Sequence, residues 1–143
     1  MTTRDNPDNR VEAVVRIEHA LLVVADLARS LAFYRRLLPF WGVRWELKGE
    51  TPARWIHFGA PGPGQPSYLS LCERPEARPF KDDGLVAGIM HVGFAHPDVS
   101  GLIARLRIAG ITPTNYADDG RFRRVYFEDP DGHQLEFVES LDP

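Results

Sequence analysis

The feature that most restricts the fold of this 143-residue chain is an internal repeat. The segment His19-Ala-Leu-Leu-Val-Val-Ala-Asp26 returns as His91-Val-Gly-Phe-Ala-His-Pro-Asp98, so the histidines and the aspartates share one offset of 72 positions. The apolar residues that follow keep this offset: Leu27 pairs with Val99, Leu31 with Ile103, and Tyr34 with Leu106. A single fixed period predicts a fold built from two copies of one unit.

Each copy has the pattern of a β-α-β-β-β unit. An apolar stripe with helical spacing follows each aspartate, so Asp26 and Asp98 are predicted helix N-caps. Pro39 and Gly110 are predicted to end the two helices. Short apolar segments separated by turns predict the strands: 14–24, 43–47, 54–58 and 68–72 in the first copy, and 90–95, 112–116, 123–128 and 133–138 in the second.

The repeat therefore predicts an α+β protein with two tandem β-α-β-β-β modules in a single domain. A chain of 143 residues has the length of one ordinary domain. Module one is expected at 14–75 and module two at 88–140, with a linker at 76–87 and a polar tail at 1–12.

Composition argues against several classes of function. The chain has 17 basic and 20 acidic residues and a net charge of −3, so we expect no nucleic-acid partner. Its longest uninterrupted apolar run, 20–25, is too short to cross a bilayer, so we expect no membrane association. The single cysteine, Cys72, excludes a disulfide framework and agrees with a reducing compartment. The expected location is the cytoplasm.

Three residues stand out as candidates for chemistry: His19, His91 and Glu136. Each histidine lies in the first predicted strand of its copy, and Glu136 lies between Leu135 and Phe137 in the last predicted strand. Two imidazoles and one carboxylate on strands of a common sheet match the facial set that holds a divalent metal with open coordination positions. The alternative is that the histidines are ordinary core or edge residues and that Glu136 faces solvent.

The sequence resembles the vicinal oxygen chelate superfamily, which includes glyoxalase I, bleomycin-resistance proteins, fosfomycin-resistance transferases, methylmalonyl-CoA epimerase and extradiol dioxygenases. The resemblance is carried by 19–34, by His91-Val-Gly-Phe94 and by 125–136, and it extends over about 14–140. Its most specific signature is the turn Asp129-Pro-Asp-Gly132 followed by a strand that carries glutamate. The resemblance implies that the paired modules form a curved, cup-like mixed sheet.

The resemblance also implies a metal site. His19 matches the ligand on the first strand of module one, His91 the ligand on the first strand of module two, and Glu136 the ligand on the last strand of module two. Fe²⁺ or Mn²⁺ suits this set best, and Zn²⁺, Ni²⁺ and Co²⁺ are compatible with the ligand types. The implied function is a metal-dependent enzyme, dioxygenase-like or a glyoxalase-like lyase or isomerase, that acts on a small oxygen-bearing substrate.

The last strand of module one departs from the glyoxalase I pattern, which has a glutamate there. Aligning the last strands of the two modules places Ser70 at the position of Glu136, and Glu73 at the position of Glu139. Serine is a poor metal ligand and cannot act as the carboxylate base of a glyoxalase reaction. The alignment therefore argues against glyoxalase I activity itself.

The general acid or base is not identified by any motif. His57, His133, Tyr126 and Arg124 are weak candidates. The favoured alternative is that His57 is a strand residue packed beside Trp55 and that His133 is an exposed residue at the exit of a turn. Four aromatic residues are candidates for the pocket wall, with packing in the core as the simpler alternative for each: Trp41, Trp45, Trp55 and Phe58.

Two alternative functions and one assembly follow from the same resemblance. A metal-free protein that binds a drug or another small molecule would need none of the three ligands, and a fosfomycin-type thiol transferase would need a serine-rich loop that the stretch 118–124 lacks. Members with two modules often dimerise, so we expect a homodimer in which His19 of one chain meets His91 and Glu136 of the other.

Overall fold

The computed structural model describes residues 15–47, 54–65, 67–81, 84 and 87–142. Within these residues the chain forms eight strands and two helices in two successive β-α-β-β-β units. The predicted α+β fold with two tandem modules is confirmed. The predicted polar tail, 1–12, and positions 82, 83, 85 and 86 of the predicted linker lie outside the described residues.

Module one contains the first sheet. Its elements are β1 (His19–Val24), α1 (Leu27–Leu37), β2 (Gly42–Glu46), β3 (Trp55–Gly59) and β4 (Tyr68–Glu73). The strands lie in the order β1-β4-β3-β2, with β1 parallel to β4 and the other neighbours antiparallel.

Module two repeats this arrangement in the second sheet. Its elements are β5 (His91–Ala95), α2 (Val99–Ile108), β6 (Asn115–Asp118), β7 (Phe122–Glu128) and β8 (Gln134–Ser140). The strand order is β5-β8-β7-β6, and again only the first pair is parallel. The two sheets are therefore mixed and have the same topology.

Two strands differ in extent from the prediction. β1 begins at His19 because its partner β4 begins at Tyr68, directly opposite, so the predicted strand residues 15–18 have no strand beside them. Position 14 lies outside the described residues. β6 is displaced from 112–116 to 115–118, since it pairs with β7 only from Asn115 onward and Pro113 has no N–H for a ladder.

Both helices begin at the predicted aspartates. Asp26 accepts a hydrogen bond from the Arg29 N–H, and Asp98 accepts one from the Gly101 N–H. The first helix, α1, ends at Leu37, two residues before Pro39, which was predicted to end it. Gly110 follows α2 with φ +77°, a left-handed conformation that favours glycine.

The core lies between each sheet and its helix. In β1 the buried side chains alternate with exposed ones, and Leu22 and Val24 point toward the core. Phe58 is fully buried in this core, so its predicted role as a pocket wall is wrong. Trp41 packs against Phe58 and Phe94 and so joins the two modules.

The turn between β7 and β8 fastens module two to the start of α1. Asp131 accepts hydrogen bonds from the Ala25 N–H, from Arg29 and from the Ser30 hydroxyl. Gly132 in this turn has φ +88°, and a Cβ there would lie 2.5 Å from the Phe80 carbonyl oxygen, so the turn requires glycine. This explains the Asp129-Pro-Asp-Gly132 signature as a structural element.

The ends of the two helices are also joined. Arg105 of α2 donates to the carbonyls of Arg36 and Leu37 at the end of α1, and Arg36 donates to the carbonyl of Ala109 beyond α2. These arginines satisfy carbonyls that a helix end leaves without partners. No helix in the described part of the chain is long and apolar enough to cross a membrane.

Candidate functional site

Each sheet has a second face that its helix does not cover. Residues paired directly across neighbouring strands share a face, so the pairing defines two surfaces. The module-one face consists of His19, Leu21, Val23, Trp45, Trp55, His57, Tyr68, Ser70 and Cys72. The module-two face consists of His91, Gly93, Ala95, Phe122, Arg124, Tyr126, Gln134, Glu136 and Val138.

A polar cluster surrounds Glu136 on the module-two face. The His91 Nε2 atom lies 3.0 Å from Glu136 Oε2, and the Tyr126 hydroxyl donates to Glu136 Oε1 at 2.7 Å. Arg124 adds a longer contact, 3.8 Å from its Nε to Glu136 Oε1, while its Nη1 pairs with Asp119 at 2.8 Å. Four of the predicted site residues therefore contact one another in a single cluster.

The two oxygens of the Glu136 carboxylate have different partners. Glu136 is buried, and its Oε1 is held by Tyr126 while its Oε2 faces the imidazole. The hydrogen bond to Glu136 raises the pKa of Tyr126, so the phenol stays protonated and acts as a donor. Opposite Glu136 on β5 is Gly93, where a Cβ would lie 3.6 Å from Glu136 Oε2.

The module-one face carries a row of four rings, one from each strand of its sheet. Successive ring centroids are 4.7 Å apart for Trp45 and His57, 4.3 Å for His57 and Tyr68, and 4.8 Å for Tyr68 and His19. His57 therefore packs against Trp45 and Tyr68, where the sequence suggested Trp55. Burial is the main cause that lowers the pKa of His57, and the neighbouring His19 imidazole contributes in the same direction, which favours the neutral form of His57.

Strand register decides which residue of module one corresponds to Glu136. Ser70 lies opposite Leu21 on the neighbouring parallel strand, as Glu136 lies opposite Gly93, and Leu21 and Gly93 are related by the repeat. The structure therefore agrees with the alignment of Ser70 with Glu136. The Ser70 hydroxyl oxygen accepts a hydrogen bond from the Trp55 ring N–H.

Glu73 and Glu139 have an equivalent structural role that the sequence did not reveal. Glu73 accepts a hydrogen bond from the Leu27 N–H at 2.7 Å, and Glu139 accepts one from the Val99 N–H at 3.0 Å. Each carboxylate thus caps the first turn of the helix in its own module. The equivalence of the two glutamates is an independent check on the alignment of the last strands.

His19 and His91 line one groove of about 620 Å³ between the edge strands β1 and β5. Its apolar lining includes Ile17, Phe80 and Ile89. Within the described residues no group of three or more His, Cys, Asp and Glu side chains is placed to hold a metal ion. A single chain thus brings His91 and Glu136 together, whereas His19 belongs to a separate row of rings.

His133 is not an exposed residue at a turn exit, as the sequence suggested. Its side chain is only 18% exposed, its Nδ1 lies 2.8 Å from Asp129 Oδ2, and its ring stacks on Phe80. Asp129 Oδ2 also accepts from the buried Tyr34 hydroxyl at 2.8 Å. The Asp-x-x-x-His spacing in the sequence could have indicated the contact between Asp129 and His133. The contact between Asp129 and Tyr34 has no such signal, because these residues lie 95 positions apart.

A protein-family model described as the Glyoxalase/Bleomycin resistance protein/Dioxygenase superfamily matches residues 16–137. The chain belongs to this superfamily. The match covers most of both modules, including every candidate ligand.

Solved structures show the same superfamily fold. A glyoxylase/bleomycin resistance protein/dioxygenase domain from Frankia sp. EAN1pec has a TM-score of 0.71 at 23% identity, covering 89% of this chain and 98% of that one. Glyoxalase I from Leishmania major has a TM-score of 0.69 at 24% identity, with 87% and 86% covered. An antibiotic binding protein from Streptomyces sp. CB03234 has a TM-score of 0.65 at 18% identity, with 90% and 98% covered. An enzyme and an antibiotic binding protein thus share this fold, so the fold alone does not identify the function and the arguments must come from the site.

Proposed function

We propose that this protein is a metal-dependent enzyme that acts on a small oxygen-bearing substrate, with His19, His91 and Glu136 as the ligands of a divalent ion. The observation that carries the proposal is the pair formed by His91 and Glu136. Their facing atoms, Nε2 and Oε2, are 3.0 Å apart on an uncovered sheet face. An imidazole nitrogen and a carboxylate oxygen are donor types that divalent metal ions take in proteins, and here they face each other on one surface.

The surroundings of Glu136 support the same assignment. A ligating carboxylate is normally held by further hydrogen bonds that fix its orientation. Tyr126 donates to Oε1 and leaves Oε2 directed at the imidazole. Because the Tyr126 phenol stays protonated, it can hold the carboxylate in place without competing as an anionic ligand.

The donor set suits Fe²⁺ or Mn²⁺ best, and Zn²⁺, Ni²⁺ and Co²⁺ are also compatible with it. When bound, the metal would act as a Lewis acid for the oxygens of the substrate. Arg124, with its charge held beside Asp119 and Glu136, would orient a polar group of the substrate at the same face. A serine at position 70 leaves no carboxylate base there, so the chemistry is expected to be dioxygenase-like, or a lyase or isomerase reaction that differs from that of glyoxalase I.

The third ligand is proposed to come from a second copy of the chain. Two donors on one chain are too few for the facial set. His19 lies on the other uncovered face and is half-exposed, so it is available to a partner. A symmetric homodimer that places one module-one face against one module-two face would create two identical sites.

The proposal is tested first by metal content. Glu136→Gln is expected to lower the affinity for Fe²⁺ or Mn²⁺ by roughly 100-fold or more, since loss of supporting residues alone costs about 10–100-fold. The measurement is equilibrium dialysis of the purified protein with elemental analysis, after metal has been removed.

Two matched variants serve as controls. Glu73→Gln makes the same chemical change on the last strand of module one, and Ser70→Ala removes the side chain equivalent to Glu136. Both are expected to leave metal affinity within about twofold, because Glu73 caps a helix and Ser70 bonds to Trp55. A wild-type protein that takes up no stoichiometric metal would exclude the proposed enzyme.

One observation favours a second function, the metal-free binding of a small molecule. The row of rings and the apolar groove between β1 and β5 offer an aromatic and apolar surface for a ligand. The same dialysis distinguishes the two functions. A binding protein would keep its ligand affinity in Glu136→Gln and would contain no metal.

A further inference from the structure

We propose that Glu18 is a positioning residue that holds the His19 imidazole as its Nδ1–H tautomer and leaves Nε2 free as the electron-pair donor. This inference deepens the proposed metal site. Glu18 Oε1 lies 3.3 Å from His19 Nδ1, within hydrogen-bonding distance. An ionised carboxylate can only accept, so His19 must donate from Nδ1 in this contact.

Tyr68 fixes the position of the Glu18 carboxylate. The Tyr68 hydroxyl donates to the same Oε1 atom at 2.8 Å, and the Tyr68 backbone N–H donates to the Glu18 carbonyl at 3.2 Å. One residue thus holds both the backbone and the side chain of Glu18. An exposed glutamate without such anchors would spread over many rotamers and would orient nothing.

Tyr68 also fixes the plane of the His19 ring. The two rings are nearly parallel, with 13° between their planes and 4.8 Å between their centroids. The His57 ring also packs against Tyr68, tilted by 30° with 4.3 Å between the ring centroids, and confines the tyrosine further. The imidazole is therefore restrained by stacking against Tyr68 and by a carboxylate at Nδ1, and metal-binding histidines are commonly oriented by such a hydrogen bond from the ring nitrogen that does not face the metal.

The two histidines of the repeat are held in different ways. His91 directs Nε2 at Glu136, its proposed fellow ligand, whereas His19 directs Nδ1 at Glu18, which belongs to no proposed ligand set. The position of Glu18 in the first copy corresponds to Met90 in the second copy, which cannot play this role. Glu18 is thus a residue that supports module one alone.

The tautomer is tested directly in the metal-free protein. Long-range ¹H–¹⁵N NMR spectra of the histidine rings, recorded where the imidazoles are neutral, distinguish a protonated Nδ1 from a protonated Nε2. The spectrum of His19→Gln identifies the signals that belong to His19. The expected result is an Nδ1–H tautomer for His19 in the wild type and a shift toward the Nε2–H form in Glu18→Ala.

Three variants separate positioning from a general structural role. Glu18→Gln keeps an acceptor oxygen and is expected to restore the Nδ1–H tautomer, while Tyr68→Phe keeps the ring but loses the anchor and should give an intermediate mixture. Glu46→Ala removes another exposed glutamate of module one and should change nothing. In metal titrations Glu18→Ala is expected to weaken binding by about 10–100-fold, and Glu18→Gln by much less.

The two proposals fail in different ways. An Nε2–H tautomer for His19 in the wild type, or an unchanged tautomer in Glu18→Ala, overturns the positioning role even if metal binds normally. A wild type that binds no metal overturns the proposed function, while the tautomer of His19 still decides the role of Glu18.

Discussion

At the scale of single residues, Asp129 shows how a buried charge is stabilised in this fold. It accepts hydrogen bonds from Tyr34, from the backbone of Asp131 and from His133. Among the described residues no buried side-chain nitrogen or oxygen is without a partner. Burying a carboxylate is costly unless such partners compensate, so Asp129 depends on all of them.

Loss of one partner of Asp129 is expected to destabilise the protein. Tyr34→Phe removes only a hydroxyl, but it leaves a buried carboxylate oxygen with one donor fewer, at a cost of about 1–3 kcal/mol in the free energy of unfolding. Urea denaturation near pH 7 measures this loss. The matched control is Tyr116→Phe at an exposed position, which is expected to change stability by less than about 0.5 kcal/mol. Equal losses in the two variants would contradict the role of the Tyr34 hydroxyl.

Asp129 is also expected to make the stability of the protein depend on pH. Burial raises the pKa of Asp129, but the hydrogen bonds and the charge of His133, together with Tyr34, outweigh it, so the pKa is lowered overall. A group whose pKa is lower in the folded state stabilises the protein above its ordinary pKa, and this contribution is lost as the pH falls. The difference in stability between the wild type and Tyr34→Phe should therefore be unchanged from about pH 7 to about pH 5, and should shrink only as the pH falls through the ordinary pKa of 3.8 and below it. A difference that stayed constant would show that Tyr34 does not act through the ionised carboxylate.

Local sequence signals predicted the helix caps formed by neighbouring residues but not the caps formed by distant residues. Asp26 and Asp98 were predicted as N-caps because a cap and its helix are adjacent in sequence. Glu73 and Glu139 cap the same helices, but each lies at least 40 positions from the N–H it accepts. No pattern in one sequence reports such a pairing, since strand register and helix position must both be known.

At the scale of elements, the two helix N-caps are expected to contribute measurably to stability. Asp98→Ala should lower the free energy of unfolding by about 1 kcal/mol, because the Gly101 N–H loses its acceptor. Asp98→Asn keeps an acceptor of similar geometry and should cost much less. Thermal and urea denaturation of both variants provide the measurement. If asparagine proved as costly as alanine, the charge of Asp98 and not its hydrogen bond would be responsible.

The existence of the strands and their succession along the chain were predicted better than the strand ends. Alternating apolar residues identified the strands, and the repeat carried one assignment to the other copy. The ends depend on partners, as β1 shows by beginning only where Tyr68 lies opposite His19. The sequence alignment also placed Ser70 at the position equivalent to Glu136, in agreement with the strand register. The row of rings on module one could not be predicted, because it depends on the order of the strands within the sheet, which periodicity does not supply.

At the scale of the whole molecule, the contacts within one chain leave the candidate faces open. The modules are joined by Arg29 with Asp131 and by Arg105 with the end of α1. On the uncovered module-one face, Leu21 is 47% exposed and Trp45 is 44% exposed, beside the half-exposed His19. Large apolar side chains exposed on one face favour an interface with another molecule.

The proposed homodimer makes a prediction that a single-chain site does not. His19→Ala and Glu136→Ala each disable metal binding, but refolding the two variants together forms mixed dimers. If each site takes His19 from one chain and Glu136 from the other, one site of a mixed dimer collects both substitutions and its twin collects none. About a quarter of all sites should then bind metal again when the chains mix at random. Metal titration of the mixture measures the recovery, and exchange is verified with one variant carrying a size tag. If every site lay within one chain, each would keep a defect, so proven mixed dimers without recovered metal binding would exclude the shared site.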